Sequence, residues 1–294
     1  MKTITLNDKQ RVLSEHNSKG NQLKWKFNNK WYKADYLGYE SLSEYICSNL
    51  LEYTNVDDFI HYDLQKIQYK SHIFNGCVSE NFLTDEYNII TLDKLFQAYY
   101  NLDITMKCVE FYKIEDRIKF VVNKVIEATR LDNFGEYLTL LLEMDALFLN
   151  EDRHFNNIAV LQNKETGLFE YCPIFDNGAS LLSDTSLDYP IEKSLNECFE
   201  EIESKPFAYR FEEQIDAAEH LYKVQFQYNF TMTNVKNLAY KAKETGMYSD
   251  EIIERIILVL REQVKKCAYY KQSNYMNLPK KEFKNITNNY NIER

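Results

Sequence analysis

Apolar positions along this chain change period about a third of the way in. Between about residues 20 and 38 they alternate with polar ones, in Leu23-Lys24-Trp25-Lys26-Phe27 and Trp31-Tyr32-Lys33-Ala34-Asp35. The two runs are joined by Asn28-Asn29-Lys30, and together they have the pattern of a β-hairpin. Leu42, Tyr45, Ile46, Leu50 and Leu51 then recur at helical spacing, led by Ser41-Leu42-Ser43-Glu44, an S-x-x-E sequence with the form of a capping box. Gln65 to Phe74 is β-compatible again, and Gly76-Cys77-Val78 runs on to a polar link at Ser79-Glu80-Asn81-Phe82. After about residue 90 helical spacing takes over, predicting helices near 91–101, 115–130, 134–149, 206–222, 233–245 and 250–270. Ser249 is the expected N-cap of the last, whose Ile252, Ile253, Ile256, Ile257, Leu260 and Val264 form a core-facing stripe. From about 272 the chain is polar and is predicted to be loosely ordered.

The order strand, strand, helix, strands, connector, helices predicts an α+β chain in two lobes. Residues 1–90 form a β-rich lobe, 91–272 a larger helical lobe, and 273–294 a polar tail. A length of 294 residues agrees with two lobes, and two lobes leave a cleft.

The chemistry concentrates after the helix ending near Leu149, which is apolar almost all round and so passes through the interior of the second lobe. It opens directly into Asn150-Glu151-Asp152-Arg153-His154-Phe155-Asn156-Asn157. Ile158–Leu161 and Leu168–Cys172, separated by a turn at 163–167, read as a hairpin, followed by Phe175-Asp176-Asn177-Gly178. One acid precedes the first strand and another follows the second, which brings both to the same open end. Phosphoryl transfer needs a carboxylate near the acceptor hydroxyl, an amide oxygen and a second carboxylate for Mg²⁺, and a lysine on the phosphates. Asp152 and Asn157 keep the D-x-x-x-x-N spacing of protein kinases, and Asp176 follows Asn157 by 19 residues in an Asp-x-Gly context. Taken singly, Asp152 could cap a turn, His154 could be structural, and Asn157 and Asp176 could be turn residues. Their conjunction with a hairpin is much rarer than any one of them. Asp145 lies inside the apolar helix, where an unpaired carboxylate is costly; bonding to backbone amides or to Arg153, and simple partial exposure, are the open readings.

Composition narrows the function classes. Thirty-five Lys and Arg against 45 Asp and Glu give a net charge of −10, which disfavours direct nucleic-acid binding. No window has the apolar length of a membrane span, and the N-terminus lacks a signal-peptide segment, so a cytoplasmic location is expected. The six cysteines are at least 26 residues apart, without a CxxC pair, which predicts reduced thiols and neither a disulfide framework nor a zinc site.

The DRHxxN loop with its hairpin and FDNG resembles the catalytic region of the HipA family of serine/threonine kinases and its short CtkA-type members, and more distantly that of phosphoinositide lipid kinases. The resemblance extends from about residue 17 to 270 and implies a bilobal protein-kinase-like fold with ATP in the cleft. It implies Asp152 as the catalytic carboxylate, Asn157 and Asp176 as Mg²⁺ ligands, and His154 beside the phosphates. Lys33 matches the phosphate-binding lysine, and Glu44 occupies the place of its glutamate partner, a role that competes with Glu44 closing the capping box. Gly20, Gln22 and Lys24 match the family's G-x-Q-x-K loop, with Asn21 inside it; this departs from a G-x-G-x-x-G loop in having one glycine. Glu80 and Phe82 fall where the connector meets adenine, through backbone hydrogen bonds, although a polar loop with a buried Phe reads as well.

The implied activity is a Mg²⁺- and ATP-dependent serine/threonine protein kinase that autophosphorylates, with Ser18 near the phosphates, and the implied partners are a protein bearing a Ser/Thr acceptor and an antitoxin-like or regulatory protein. HipA toxins carry a further segment ahead of the kinase core, and partnership through that segment is not expected here. A lipid or small-molecule kinase and a nucleotide-binding pseudokinase regulating a partner are the alternatives.

Overall fold

The computed structural model describes residues 1–12, 22–272 and 278–283. The N-terminal part is rich in strands and the C-terminal part is mainly helical, in an α+β arrangement. Strands β1 (Thr3–Leu6), β2 (Arg11–Val12), β3 (Lys24–Phe27) and β4 (Lys30–Ala34) lead to helix α1 (Glu40–Leu51). Then come β5 (Asp63–Leu64), β6 (Lys66–Tyr69), β7 (His72–Phe74) and β8 (Gly76–Glu80). One sheet has the order β2-β3-β4-β8-β5 and a second the order β1-β6-β7, with β1 parallel to β6. The predicted β3–β4 hairpin forms. Its two-residue turn is Asn28-Asn29, both at positive φ (50° and 58°), a conformation asparagine tolerates better than most residues. The strand alternation sends Trp25, Tyr32 and Ala34 into a small core with Ile67 and Tyr69, where the Trp25 and Tyr69 rings meet edge-on at 5.2 Å. Lys33, one residue out of phase with Tyr32 and Ala34, faces the opposite side.

Strand β9 (Tyr87–Thr91) pairs with β10 (Ala159–Asn163), which pairs with β11 (Phe169–Tyr171), so the sequence beyond the connector opens with a strand ahead of its first helix. The predicted hairpin after the polar loop is β10–β11. The helices are α2 (Leu92–Tyr100), α3 (Ile104–Val109), α4 (Ile114–Thr129), α5 (Phe134–Phe148), α6 (Leu195–Glu201), α7 (Phe211–Tyr222), α8 (Met232–Glu244) and α9 (Asp250–Lys266). Nearly every residue of α5 is buried, including Glu143 and Asp145, and it runs through the main core together with the apolar face of α1.

Four expectations need correction. The S-x-x-E capping box does not form, because the helix starts at Glu40 behind Tyr39. The Ser41 amide instead donates to Asp35 Oδ1 at 2.7 Å, leaving Glu44 free to turn inward. The helix predicted from 206 starts at Phe211, and residues 202–210 form a loop. The helix predicted to reach 270 ends at Lys266 and continues as one 3₁₀ turn, Ala268–Tyr270. Part of the polar tail is packed: the Lys281 amide donates to Asn55 O at 2.7 Å, and Phe283 meets the Tyr137 and Tyr171 rings at 5.5 and 5.4 Å.

Candidate active site

The centre of the site is an ion-paired lysine. Lys33 on β4 is buried, and its Nζ donates to Glu44 Oε1 at 2.5 Å and to Asp176 Oδ1 at 2.7 Å, 5.0 Å from the centre of the Tyr62 ring. Burial alone would discharge this ammonium, but the facing Asp176 and Glu44 carboxylates outweigh it and raise its pKa well above the ordinary lysine value. Glu44, one helical turn into α1, takes the Asn177 amide on its other oxygen at 2.9 Å. Of the two roles open to Glu44, the structure gives it the lysine. Burial acts to raise the Asp176 carboxyl, but Lys33, Lys24 and Arg153 together hold it far below the usual carboxylate range. Asp176 has φ = 62°, a conformation uncommon outside glycine, asparagine and aspartate, and it carries the carboxylate out of the line of β11 toward Lys33.

The loop after α5 is built on a second, fully buried ion pair. Arg153 donates from Nε and Nη2 to both oxygens of Asp145 at 2.8 and 3.0 Å. Its remaining donors reach Asn157 O at 3.1 Å, Phe175 O at 2.7 Å and Asn177 Oδ1 at 2.9 Å. All five guanidinium donors are thereby used, in the fork geometry that lysine cannot supply. Asp145, an anomaly in the sequence of an apolar helix, is thus the counter-ion that lets Arg153 hold the DRHFNN loop beside the FDNG loop. Asn150 supports both, donating to Asp145 Oδ1 at 3.1 Å and accepting the Asp152 amide at 3.2 Å.

On this frame Asp152 and Asn157 sit at the two ends of one tight turn, where Asn157 Nδ2 donates to the Asp152 carbonyl at 2.8 Å and so turns its Oδ1 away from that bond. His154 Nε2 lies 3.7 Å from Asp152 Oδ2. Among the described residues no three or more His, Cys, Asp or Glu side chains gather as a metal cage. Asp176 and Asn157 fit a different demand: one carboxylate and one amide oxygen are the sparse protein share that Mg²⁺ takes when phosphates and water supply the rest.

Lys24 lies opposite Lys33 in the β3–β4 register, and the Asp176 carboxylate feels its charge. Gln22 lies two residues before β3 and is partly buried. Gly20, Asn21 and Ser18 lie outside the described residues. Glu80 ends β8, and its exposed carboxylate pairs with Lys30. Phe82 stacks on Phe175 with ring centres 6.3 Å apart beside Ile60, Tyr62 and Cys77, forming an apolar wall next to the Lys33 cluster.

Sequence reasoning missed three contributors. Lys205, in the loop between α6 and α7, donates to Asp152 Oδ1 at 2.9 Å. Its loop is pinned by Ser204 Oγ to Ala208 O at 2.7 Å, by Arg117 to Phe207 O at 2.7 Å, and by the Phe207 ring edge-on to Phe155 at 5.5 Å. No local pattern marks a lysine 53 residues downstream of its partner. Asn177 and Asn150 were visible in the motifs, but only as loop amides.

Neither a family model nor a curated protein matches this sequence. Solved structures do match in fold. The Helicobacter pylori proinflammatory kinase CtkA superposes with a TM-score of 0.59 over 90% of this chain and 95% of its own, at 16% identity. HipA of Shewanella oneidensis, solved with HipB and operator DNA, gives 0.50 over 89% of this chain and 66% of its own, at 12% identity. The fold of this chain is therefore that of the HipA-like kinases.

Proposed function

We propose that this protein is a Mg²⁺- and ATP-dependent phosphotransferase that phosphorylates serine or threonine hydroxyls on proteins, itself included. The carrying observation is the lysine shared by Glu44 and Asp176 at 2.5 and 2.7 Å, an arrangement for presenting a cation to phosphates beside a metal-binding carboxylate. In this reading Lys33 and Lys24 hold the non-transferred phosphates, and Phe82 and Phe175 wall the base. Asp176 and Asn157 Oδ1 would hold Mg²⁺, which when bound neutralises charge on the phosphate oxygens. Asp152 orients the acceptor hydroxyl and takes its proton as the new O–Pγ bond forms and the bond from Pγ to the ADP oxygen breaks. Lys205 fixes the rotamer of Asp152 from the acceptor side. No covalent intermediate is needed, so catalysis rests on positioning and on charge neutralisation.

Several features support this reading together: the fold of the two kinases above, the separation of the lysine cluster from the Asp152 turn by one Arg153-held frame, and an acidic chain that must bind phosphates through a few placed cations. We extend the proposal to a regulatory protein partner, since the Shewanella protein was solved with HipB. Incubation with γ-labelled ATP and Mg²⁺, with peptides, phosphoinositides and aminoglycosides offered side by side, tests it. Label should appear on the protein and on peptide, and Asp152→Ala should cut it by about 10²–10⁴. Equal labelling by Asp152→Ala ends the assignment, label on lipid or aminoglycoside alone moves the acceptor class, and Mg·ATP binding with no transfer to anything makes the chain a nucleotide-binding regulator.

A further inference from the structure

The pairing of Glu44 with Lys33 depends on where α1 docks, and the structure shows what docks it. The segment after Asp176 lies against the loop that precedes α1: the Tyr39 amide donates to Ser183 O at 3.1 Å, the Ser186 amide donates to Leu37 O at 2.9 Å, and Gly38 forms an antiparallel bridge with Asp184. Two side chains of the helix entry extend this clamp. Tyr39 Oη donates to Leu181 O at 2.7 Å and Ser43 Oγ to Ser180 O at 2.9 Å. The loop is shaped by Glu40, whose carboxylate accepts the amides of Tyr36, Leu37 and Gly38 at 3.2, 2.6 and 3.1 Å.

At Gly38 the two backbones come too close for any side chain. A Cβ there would lie 2.0 Å from Ser183 O and 2.8 Å from the Thr185 amide nitrogen, and backbone atoms cannot swing aside as a side-chain end would. The opposing segment is itself held in an unusual shape. Leu181 and Leu182 are both buried at positive φ (58° and 61°), conformations that persist only where the surroundings determine them. Ser180 and Ser183 on this segment are buried, and Ser183 Oγ donates to Gly178 O at 2.7 Å, so neither presents its hydroxyl for modification; Ser186 is exposed, but it joins the clamp through its backbone amide.

Resting on the phosphotransfer reading above, we infer that Gly38 is a positioning residue. Its absent side chain lets residues 36–39 close on 180–186, and that closure keeps Glu44 on Lys33 with no phosphate required on the segment after Asp176. Kinases that must be switched on gain this arrangement when a charged group orders the corresponding segment. Here backbone hydrogen bonds and burial do the ordering, and the assembled state is the resting state.

The test uses the full chain with Gly38→Ala, Gly38→Val and, as a control, Gly167→Ala. Gly167 also has positive φ (72°), but it lies in the distal β10–β11 turn with open space around it, so its substitution costs stability without touching the clamp. Gly38→Val should lower kcat at least about tenfold, a factor that misplacing the lysine partner readily produces. It should also speed amide exchange at Tyr39, Ser186 and Asn177 by about tenfold or more, as expected for local opening. Gly167→Ala should lower the melting temperature and keep kcat within about twofold, as expected of a change remote from the site.

Wild-type protein treated with a phosphatase should transfer at its original rate. A folded Gly38→Val enzyme with wild-type kcat overturns the inference, as does loss of activity on phosphatase treatment or a fall in kcat for Gly167→Ala equal to that for Gly38→Val. If Gly38→Val fails to fold, Ser43→Ala, which removes only the bond to Ser180 O, should lower kcat measurably, and wild-type kcat there is equally fatal. If wild-type protein transfers nothing, the phosphotransfer reading falls on its own, and exchange still decides the clamp: slow Tyr39 and Ser186 amides support it and fast ones overturn it.

Discussion

Replacing Asp145 by alanine removes one carboxylate from α5 and strands a cation. Arg153 would keep its bonds to Asn157 O, Phe175 O and Asn177 Oδ1 but lose both oxygens of its counter-ion, at 2.8 and 3.0 Å, at a fully buried site. Breaking a buried pair from one side costs about 3–5 kcal/mol, because the surviving charge stays desolvated. Unfolding entropy near 60 °C is about 2.1 cal/mol/K per residue, or about 0.6 kcal/mol/K for a chain of this length, so the melting temperature should fall by about 5–8 °C. Calorimetry on wild type and Asp145→Ala reads this directly. The double variant Asp145→Leu with Arg153→Met discards both charges and should recover part of the loss, because an apolar pair of similar volume avoids the stranded ion. It should remain inactive, since nothing then ties the Asn157 and Phe175 backbones together. A melting temperature for Asp145→Ala within about 2 °C of wild type, well below the range that a stranded ion predicts, would refute the reasoning.

Lys205→Met should lower kcat by about 10–100-fold, the range of a positioned polar contact at a reacting group, while leaving the KM for ATP nearly unchanged, because Lys205 touches Asp152 and none of the proposed nucleotide groups; steady-state kinetics with varied ATP separates the two. Asp35 carries a pH signature. Burial foremost, then the Glu40 carboxylate, raise its carboxyl from 3.8 to about 7, against hydrogen bonds from Ser41 and Tyr248. A folded-state pKa above the unfolded one means the folded protein holds the proton more tightly, so this contribution is full below about pH 4 and is lost as pH rises through about 7. Asp35 is only partly covered by neighbours, and solvent screening reduces the effect to about 1–2 kcal/mol, so Asp35→Asn should melt higher than wild type at pH 8, by a smaller margin at pH 5 and about equally at about pH 4. Parallel melting curves for the two proteins across pH 5–8 would remove Asp35 from this role.

What could be read from the sequence was local and periodic. The β3–β4 hairpin was legible because period-2 alternation and an Asn-Asn turn sit in one short stretch, and α5 because a fifteen-residue stretch that is apolar almost all round admits few other fates. Asp152, Asn157 and Asp176 were legible as a spacing, and the hairpin between them accounts for that spacing in three dimensions. The pairing of β1 with β6 joins Thr3 to Lys66, and two-residue strands such as β2 and β5 carry no period. Glu44 was ambiguous because S-x-x-E describes a helix start, and the start moved when Asp35 took the Ser41 amide. Lys205 and the packed tail at Phe283 are long-range partners chosen by shape, with no signature in their own neighbourhoods.

These pieces form one polar line through the apolar interior. Lys33 binds Glu44, Glu44 accepts the Asn177 amide, Asn177 accepts from Arg153, and Arg153 binds Asp145 on the central helix. Each buried charge here would be a liability alone, and each is covered by the next group, so no charged member can be exchanged singly for an apolar residue without orphaning its neighbour. Asn177 is the hinge of this dependence. Its amide faces Glu44 and its side-chain oxygen faces Arg153, so one residue fixes the distance between the lysine cluster and the turn that carries Asp152. A longer or apolar side chain at that position would leave one Arg153 donor short of a partner, and any shift of the loop to refill it would draw the backbone amide away from Glu44. That is a physical reason for an asparagine to stand between Asp176 and Gly178, and it explains why the precision of the site rests on residues that need never touch a nucleotide.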